Sequence, residues 1–174
     1  MIILRKKASP TSSLIFGVTA SVIGINTNSG YSIANIVNGQ GLSGNTPSLT
    51  GNHDASTITN SWQSINNFQL APEPIQITFN FSVARNLTGL SFWNATGGSN
   101  SLNGARHVAF EYLSGAIWTV LTPLSPWSGS FTQGGASPQL VNFSPVTTSQ
   151  VRFIVNTNYG GQRLQINEVQ FKGS

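Results

Sequence analysis

Ile75-Gln76-Ile77-Thr78-Phe79-Asn80-Phe81 alternates apolar and polar side chains without a fault. Successive side chains of a strand point to opposite faces, so the stretch has one greasy face and one amide and hydroxyl face. It reads as a half-buried strand, and the rest of the chain repeats the pattern at short intervals. Leu14 to Ile25 reads as a first strand, and Leu87 to Asn94 follows the quoted stretch. His107-Val108-Ala109-Phe110-Glu111-Tyr112 alternates again, and Ser114-Gly115 makes a tight connection to Ala116 to Leu121. Val151-Arg152-Phe153-Ile154-Val155 and Gln165 to Phe171 close the series. In the last of these Leu164 and Ile166 share one parity and Val169 and Phe171 the other, which predicts a bulge around Asn167-Glu168.

No apolar stripe of helical period runs for three turns, and Ser32 to Val37 is long enough for one turn only. The prolines at 47, 72, 74, 123, 126, 138 and 145 all fall between the strand candidates, where a missing N–H costs no ladder bond. The expectation is an all-β, antiparallel jelly-roll sandwich of about eight strands over residues 14–174. Residues 1–13 form a separate arm, apolar, then basic, then polar. Residues 39–60 are a long irregular segment rich in Gly, Asn, Ser and Thr, expected to be functional or disordered.

Composition narrows the function. The 174 residues include only 7% charged side chains, against a norm of about 25%. Solubility must come from amides, hydroxyls and glycine. The net charge of +4 rests on 8 basic and 4 acidic residues, too sparse for the clustered cations that bind nucleic acid. There is no cysteine, which excludes disulfides, thiolate metal sites and a cysteine nucleophile. No apolar run approaches the roughly 18 residues that span a bilayer. Arg5-Lys6-Lys7 is followed by Ser9, Pro10, Thr11, Ser12 and Ser13 instead of an apolar stretch, so a secretory signal is not convincing.

Val18-Thr19-Ala20-Ser21, Asn28-Ser29-Gly30-Tyr31 and Ile33-Ala34-Asn35-Ile36-Val37-Asn38-Gly39 resemble the opening of the discoidin (F5/8 type C) family. Ser61-Trp62 resembles the tryptophan after its first loops. Phe110-Glu111-Tyr112 with Gly115 and Trp118 resembles its hairpin, and Val151-Arg152-Phe153 with Ile166-Asn167-Glu168-Val169 its final strand pair. The resemblance runs in order over about residues 17–172. It implies the galactose-binding-domain-like jelly roll that carbohydrate-binding modules share. Two departures stand out: Asn38 replaces an acidic residue, and about twenty residues are inserted before Trp62.

Catalysis is set aside. Two-carboxylate chemistry needs a facing pair, and only Asp54, Glu73, Glu111 and Glu168 exist. His53 and Asp54 are expected to be solvated in the long loop, and no nucleophile elbow accompanies them. The resemblance implies a structural calcium held by the Asn38-Gly39 loop and Glu168, although losing the acid at 38 weakens such a site. The alternative is that Glu168 accepts loop N–H bonds and ties the two ends of the chain together. Sugars are usually held by an aromatic face, with side chains that pair with hydroxyls. Trp93, Asn94, Arg106, His107, Trp127, Tyr159 and Arg163 are the candidates, with Trp127 and Tyr159 the best exposed aromatics; Trp62 and Trp118 are assigned to the core.

Met1-Ile2-Ile3-Leu4 gives a monomer little reason to expose it, so the arm is expected to dock on a neighbouring subunit of an oligomeric assembly. Low charge, no cysteine, no signal peptide and a terminal arm together favour a structural or attachment protein of a phage or virus particle, such as a capsid decoration or tail component, with a possible surface for host carbohydrate. The alternative is a lectin-like carbohydrate-binding module of a secreted or cell-surface protein. A module cut from a secreted glycosidase is set aside because the chain starts at Met1 and ends just after its last strand candidate.

Overall fold

The computed structural model describes residues 12–71 and 73–174. Its strands are β1 (Ser13–Leu14), β2 (Thr19–Ile23), β3 (Trp62–Gln63), β4 (Ile75–Asn94), β5 (Val108–Ser114), β6 (Ile117–Val120), β7 (Gln139–Val155) and β8 (Gln165–Gly173). Every pairing among them is antiparallel. The order is β1-β8-β4-β7-β5-β6, with β2 also on β4 and β3 on β8. A 3₁₀ turn at Ile33–Ile36, capped by the Ser32 hydroxyl, is the single turn the sequence predicts there.

β4 and β7 are long because each serves two halves of a curled sheet. Residues 75–80 of β4 pair with 150–155 of β7 and with β2. After a break in the ladder, residues 85–92 pair with 139–148, and β8 lies along the other side. The curl folds the halves together as a jelly roll. Phe79 meets Phe171 at 5.1 Å between ring centroids, and Phe92 meets Phe153 at 6.5 Å. Ile75, Ile77, Phe79 and Phe81 are all buried, as their alternation requires. Burying such side chains is worth about 1.5–3 kcal/mol each, which is what drives the curl.

Three expectations change. Pro145 lies inside β7, not between strands. It sits where the register slips between the Leu87–Val146 and Gly89–Asn142 pairs, and a bulge tolerates the missing N–H. The domain starts before residue 14, because Ser13 pairs with Gly173 and the Ser12 hydroxyl lies 2.9 Å from that of Thr88. The rest of the expected arm, with its docking role, lies outside the described residues.

The third change concerns residues 39–60. They are neither disordered nor free, but form a clasp over the outer face of β4 and β8. Ser91 Oγ donates to the Leu49 carbonyl at 2.7 Å, and Trp93 Nε1 to the Gly51 carbonyl at 3.0 Å. Ser56 Oγ donates to Asn167 Oδ1 at 2.6 Å, and just past the segment Ser61 Oγ accepts from Gln165 Nε2 at 3.0 Å. Residues 165–171 are consequently buried on both faces, although one face is polar. The amides satisfy one another, which is how a buried polar face avoids its desolvation cost. The predicted bulge is present: Trp93 pairs with Glu168 and Asn94 with Ile166, leaving Asn167 as the extra residue. Its side chain anchors the clasp.

Candidate functional site

Antiparallel pairing sends the long connections to one end. The start of β4, the end of β7 and the start of β5 meet there. Bridges from Gly104 to Gln165 and from Ala105 to Asn158 join them to the end of β4 and the start of β8. The opposite end holds the β5–β6 turn, with Thr148 Oγ1 donating to the Leu113 carbonyl at 2.9 Å.

At the loop end the segments 98–103 and 160–163 border an open, solvent-facing depression, a shallow cavity of about 420 Å³ lined by Asn66, Ser99, Asn100, Leu102, Asn103, Gly160, Gly161, Gln162 and Arg163. Its walls are fixed by backbone bonds: the Leu102 carbonyl accepts from Tyr159 N at 3.2 Å and Gly161 N at 3.0 Å. Gly161 has to be glycine, since a Cβ there would stand 2.1 Å from Asn103 Oδ1 and 2.8 Å from the Leu102 carbonyl. Arg163 reaches in from one side, its Nε donating to Asn66 Oδ1 at 2.6 Å and Nη1 to Gln63 Oε1 at 2.8 Å. Asn158, buried beneath, donates through Nδ2 to the carbonyls of Gly161 and Arg163 at 2.7 Å each. The site is polar, shallow and open to solvent, on a hydrogen-bonded base.

The predicted residues divide between surface and interior. Arg106 and His107 are exposed at this end; the Arg106 guanidinium lies 5.6 Å from the Tyr159 ring centroid, and His107 Nδ1 is 2.7 Å from Thr157 Oγ1. Tyr159 is half-buried and hydrogen-bonds through its hydroxyl to the Phe131 carbonyl. Burial raises its pKa, against the lowering pull of Arg106. Arg163 is a wall of the cavity. Trp93 and Asn94 are not surface residues: Trp93 is covered by the clasp, and Asn94 Nδ2 donates to the carbonyls of Ala105 at 2.8 Å and Thr132 at 2.9 Å. A strand end looks exposed in sequence, but the insertion covers this one. Trp127 packs against Phe110 and Phe131, with centroids 5.5 and 4.9 Å away, and is half-buried instead of standing free.

Trp62 is fully buried as expected, whereas Trp118 is half-buried under the Arg152 guanidinium, 4.3 Å from its ring centroid. His53 is buried, contrary to the solvated reading; its Nδ1 lies 2.8 Å from the Asp54 carbonyl. Burial lowers its pKa, and the Asp54 and Gln40 backbones raise it less. Gly41 makes the space, since a Cβ at its φ of +91° would lie 2.4 Å from the imidazole. Asp54 itself is exposed, beside a second polar cavity of about 430 Å³ formed by residues 41–45, 52 and 54.

Asn66, Ser99, Asn100, Asn103 and Gln162 escaped sequence reading. They are small polar residues in turns, and only the Tyr159-Gly160-Gly161-Gln162-Arg163 run carried a signal.

Glu168 and Asn38 were the calcium candidates. Glu168 Oε2 accepts from Gly39 N at 3.0 Å, and Oε1 from Gln170 Nε2 at 2.5 Å. Gln170 Nε2 also donates to the Val37 carbonyl at 3.2 Å. Asn38 Oδ1 accepts from Gln40 N at 2.9 Å. A hard cation wants several oxygens, preferably charged, and among the described residues no three acids or histidines gather. In this structure Glu168 ties the 37–39 loop to the last strand through these hydrogen bonds. Burial pushes the Glu168 pKa up to about 8, with the Gln170 and Gly39 donors pulling it down.

The architecture now has known counterparts. The family 32 carbohydrate-binding module of Clostridium perfringens NanJ, in complex with galactose, superposes with a TM-score of 0.65 at 13% identity, over 92% of this chain and 98% of that one. An F5/8 type C domain of a Bacteroides fragilis protein does so at 0.65 and 14%, over 95% and 99%. The chain has the discoidin fold. The family 32 module of AlyQ, in complex with 4,5-unsaturated mannuronic acid, superposes at 0.56 and 16%, over 90% and 94%. No family model matches the sequence, and no curated protein does.

This discoidin-fold domain is not the virion component that composition and the arm suggested. Among the structures it superposes on are family 32 carbohydrate-binding modules of Clostridium perfringens and an F5/8 type C domain of Bacteroides fragilis. Low charge and the absence of cysteine do not by themselves mark this domain as part of a particle. Its acids stand apart: Glu111 pairs with Arg152, Glu168 is sealed under the loop, and Asp54 and Glu73 border different cavities. No helix among the described residues is long and apolar enough to cross a membrane.

Proposed function

We propose that this chain is a carbohydrate-binding domain acting outside the cell, and that its sugar enters the loop-end cavity beside Arg163. The cavity carries the reading. Its volume of about 420 Å³ falls in the range of small-ligand sites, roughly 300–1,000 Å³. The side chains of Ser99 and Gln162 make no hydrogen bonds within the described chain, and Asn100 makes one long bond of 3.5 Å, so these groups are available to hydroxyls. Arg106, His107 and Tyr159 extend the polar rim along the same end. The solved modules of this fold that hold galactose, N-acetylgalactosamine or an unsaturated mannuronic acid support a saccharide as the ligand class.

The test is a glycan array, run in EDTA, with the wild-type chain and an Asn100→Ala/Gln162→Ala variant. The expected result is a restricted set of bound glycans, lost in the variant while its melting temperature is kept. A blank array from folded wild-type protein would overturn the proposal.

A further inference from the structure

We propose that the loop-end cavity selects a sugar bearing a carboxylate, which pairs with the Arg163 guanidinium. This rests on the carbohydrate reading and narrows it to a substrate class. The first observation is what holds the arginine. Its two intramolecular acceptors, Asn66 Oδ1 and Gln63 Oε1, are neutral amide oxygens. They orient the guanidinium without cancelling its charge.

The second is the absence of a protein counter-ion. Among the described residues the single ion pair is Arg152 with Glu111, on β7 and β5. Glu168 is buried beneath the 37–39 loop, and Asp54 and Glu73 line other cavities. The cavity wall itself includes no acid. In a chain with 4 acids this is a site where positive charge is left open.

The third is preorganisation. Gln63 is buried; its Oε1 also accepts from Asn28 Nδ2 at 2.9 Å, and its Nε2 donates to Gln165 Oε1 at 2.8 Å. Gln165 in turn donates to Ser61 Oγ at 3.0 Å. Arg163 is thus held by an amide chain rooted in β3 and β8, so little side-chain freedom remains to be lost on binding. Nη2 has no hydrogen-bond partner within the described chain. A planar guanidinium with an open edge favours a carboxylate, because a charge-assisted bond is roughly twice as strong as a neutral one. The remaining wall of Ser99, Asn100, Asn103 and Gln162 suits the hydroxyls of the same sugar. Arg106, over Tyr159 and next to the Gly160-Gly161 turn, adds a second cation to this end.

The experiment is calorimetric titration of the whole chain with oligogalacturonate against its methyl ester, and with sialyllactose against lactose, at 50 and 500 mM NaCl. At least one acidic ligand is expected to bind ten-fold or more tighter than its neutral partner, and to lose most of that margin at high salt as screening shortens from about 14 Å to about 4 Å. Which pair shows the margin identifies the acid as a uronate or a nonulosonate. Arg163→Gln should bring acidic and neutral ligands to equal affinity, and Arg163→Lys should keep part of the margin. Near-ultraviolet circular dichroism of both variants should match wild type. Equal binding of acid and neutral partner by wild type would overturn this inference and leave the carbohydrate reading standing. No binding in any arm, with an array positive for neutral glycans, would do the same; no binding with a blank array would overturn both.

Discussion

Replacing Glu168 by Gln should make the domain relatively more stable as pH rises. The Glu168 carboxyl is fully buried, and burial pushes its pKa from the ordinary 4.5 to about 8. Between those values the folded state keeps a proton that the unfolded chain releases, so wild-type stability falls as pH rises through this window. At about 1.4 kcal/mol per pH unit, the interval from 4.5 to about 8 amounts to about 5 kcal/mol at most. Glu168→Gln cannot ionise and is free of that slope. It does lose something at every pH, because an amide NH₂ must face either Gly39 N or Gln170 Nε2. The informative quantity is therefore the difference in unfolding free energy between variant and wild type, followed by urea denaturation from pH 5 to 8.5 in EDTA. It should move in favour of the variant by several kcal/mol. A difference that stays flat, or moves towards wild type, would refute the burial argument. Because the tie is made of hydrogen bonds, millimolar calcium should leave the wild-type midpoint at pH 8 unchanged.

Other expectations follow from the packing. Trp93→Ala should cost about 3–5 kcal/mol in chemical denaturation, because the side chain fills the space between sheet and clasp. Trp93→Phe should leave sugar binding intact, since the indole presents no face to the cavity. Gly161→Ala should lower stability by roughly 1–3 kcal/mol and abolish ligand binding, as its methyl group would collide with Asn103 and Leu102. Burial holds the His53 pKa below 6.5, so the folded state binds fewer protons there than the unfolded chain. That contribution to stability is complete above pH 6.5 and is lost on acidification below it; an NMR titration of its Cε1 proton should give a midpoint under 6.5. Glu111→Gln should cost no more than about 1 kcal/mol by thermal melting, because its ion pair with Arg152 is partly exposed.

The alternation at 75–81 was enough to place the core face of β4, and the parity slip at 164–171 was enough to place a bulge at Asn167. Both are local signals, carried by side chains within a few residues of one another. What stayed hidden was long-range. Nothing in residues 39–60 announces a clasp, because its hydrogen bonds come from backbone carbonyls and small polar side chains whose partners lie 40 to 114 residues away or more. The exposure of Trp93 and Asn94 was misjudged for the same reason. Pro145 concealed the first half of β7, since a bulge is visible only once the partner strand is known. At the site, Arg163 and the double glycine were legible as chemistry. The cavity was not, because Asn66 comes from a segment nearly a hundred residues earlier.

The most direct test of a sugar seat at the loop end is an NMR titration of isotope-labelled wild-type protein with a glycan selected on the array. Saturable amide shifts confined to residues 98–103 and 160–163, with the Arg163 Nε–H signal moving among them, are the predicted result. Shifts gathered instead around residues 41–54, or along the β5–β6 edge, would contradict the account.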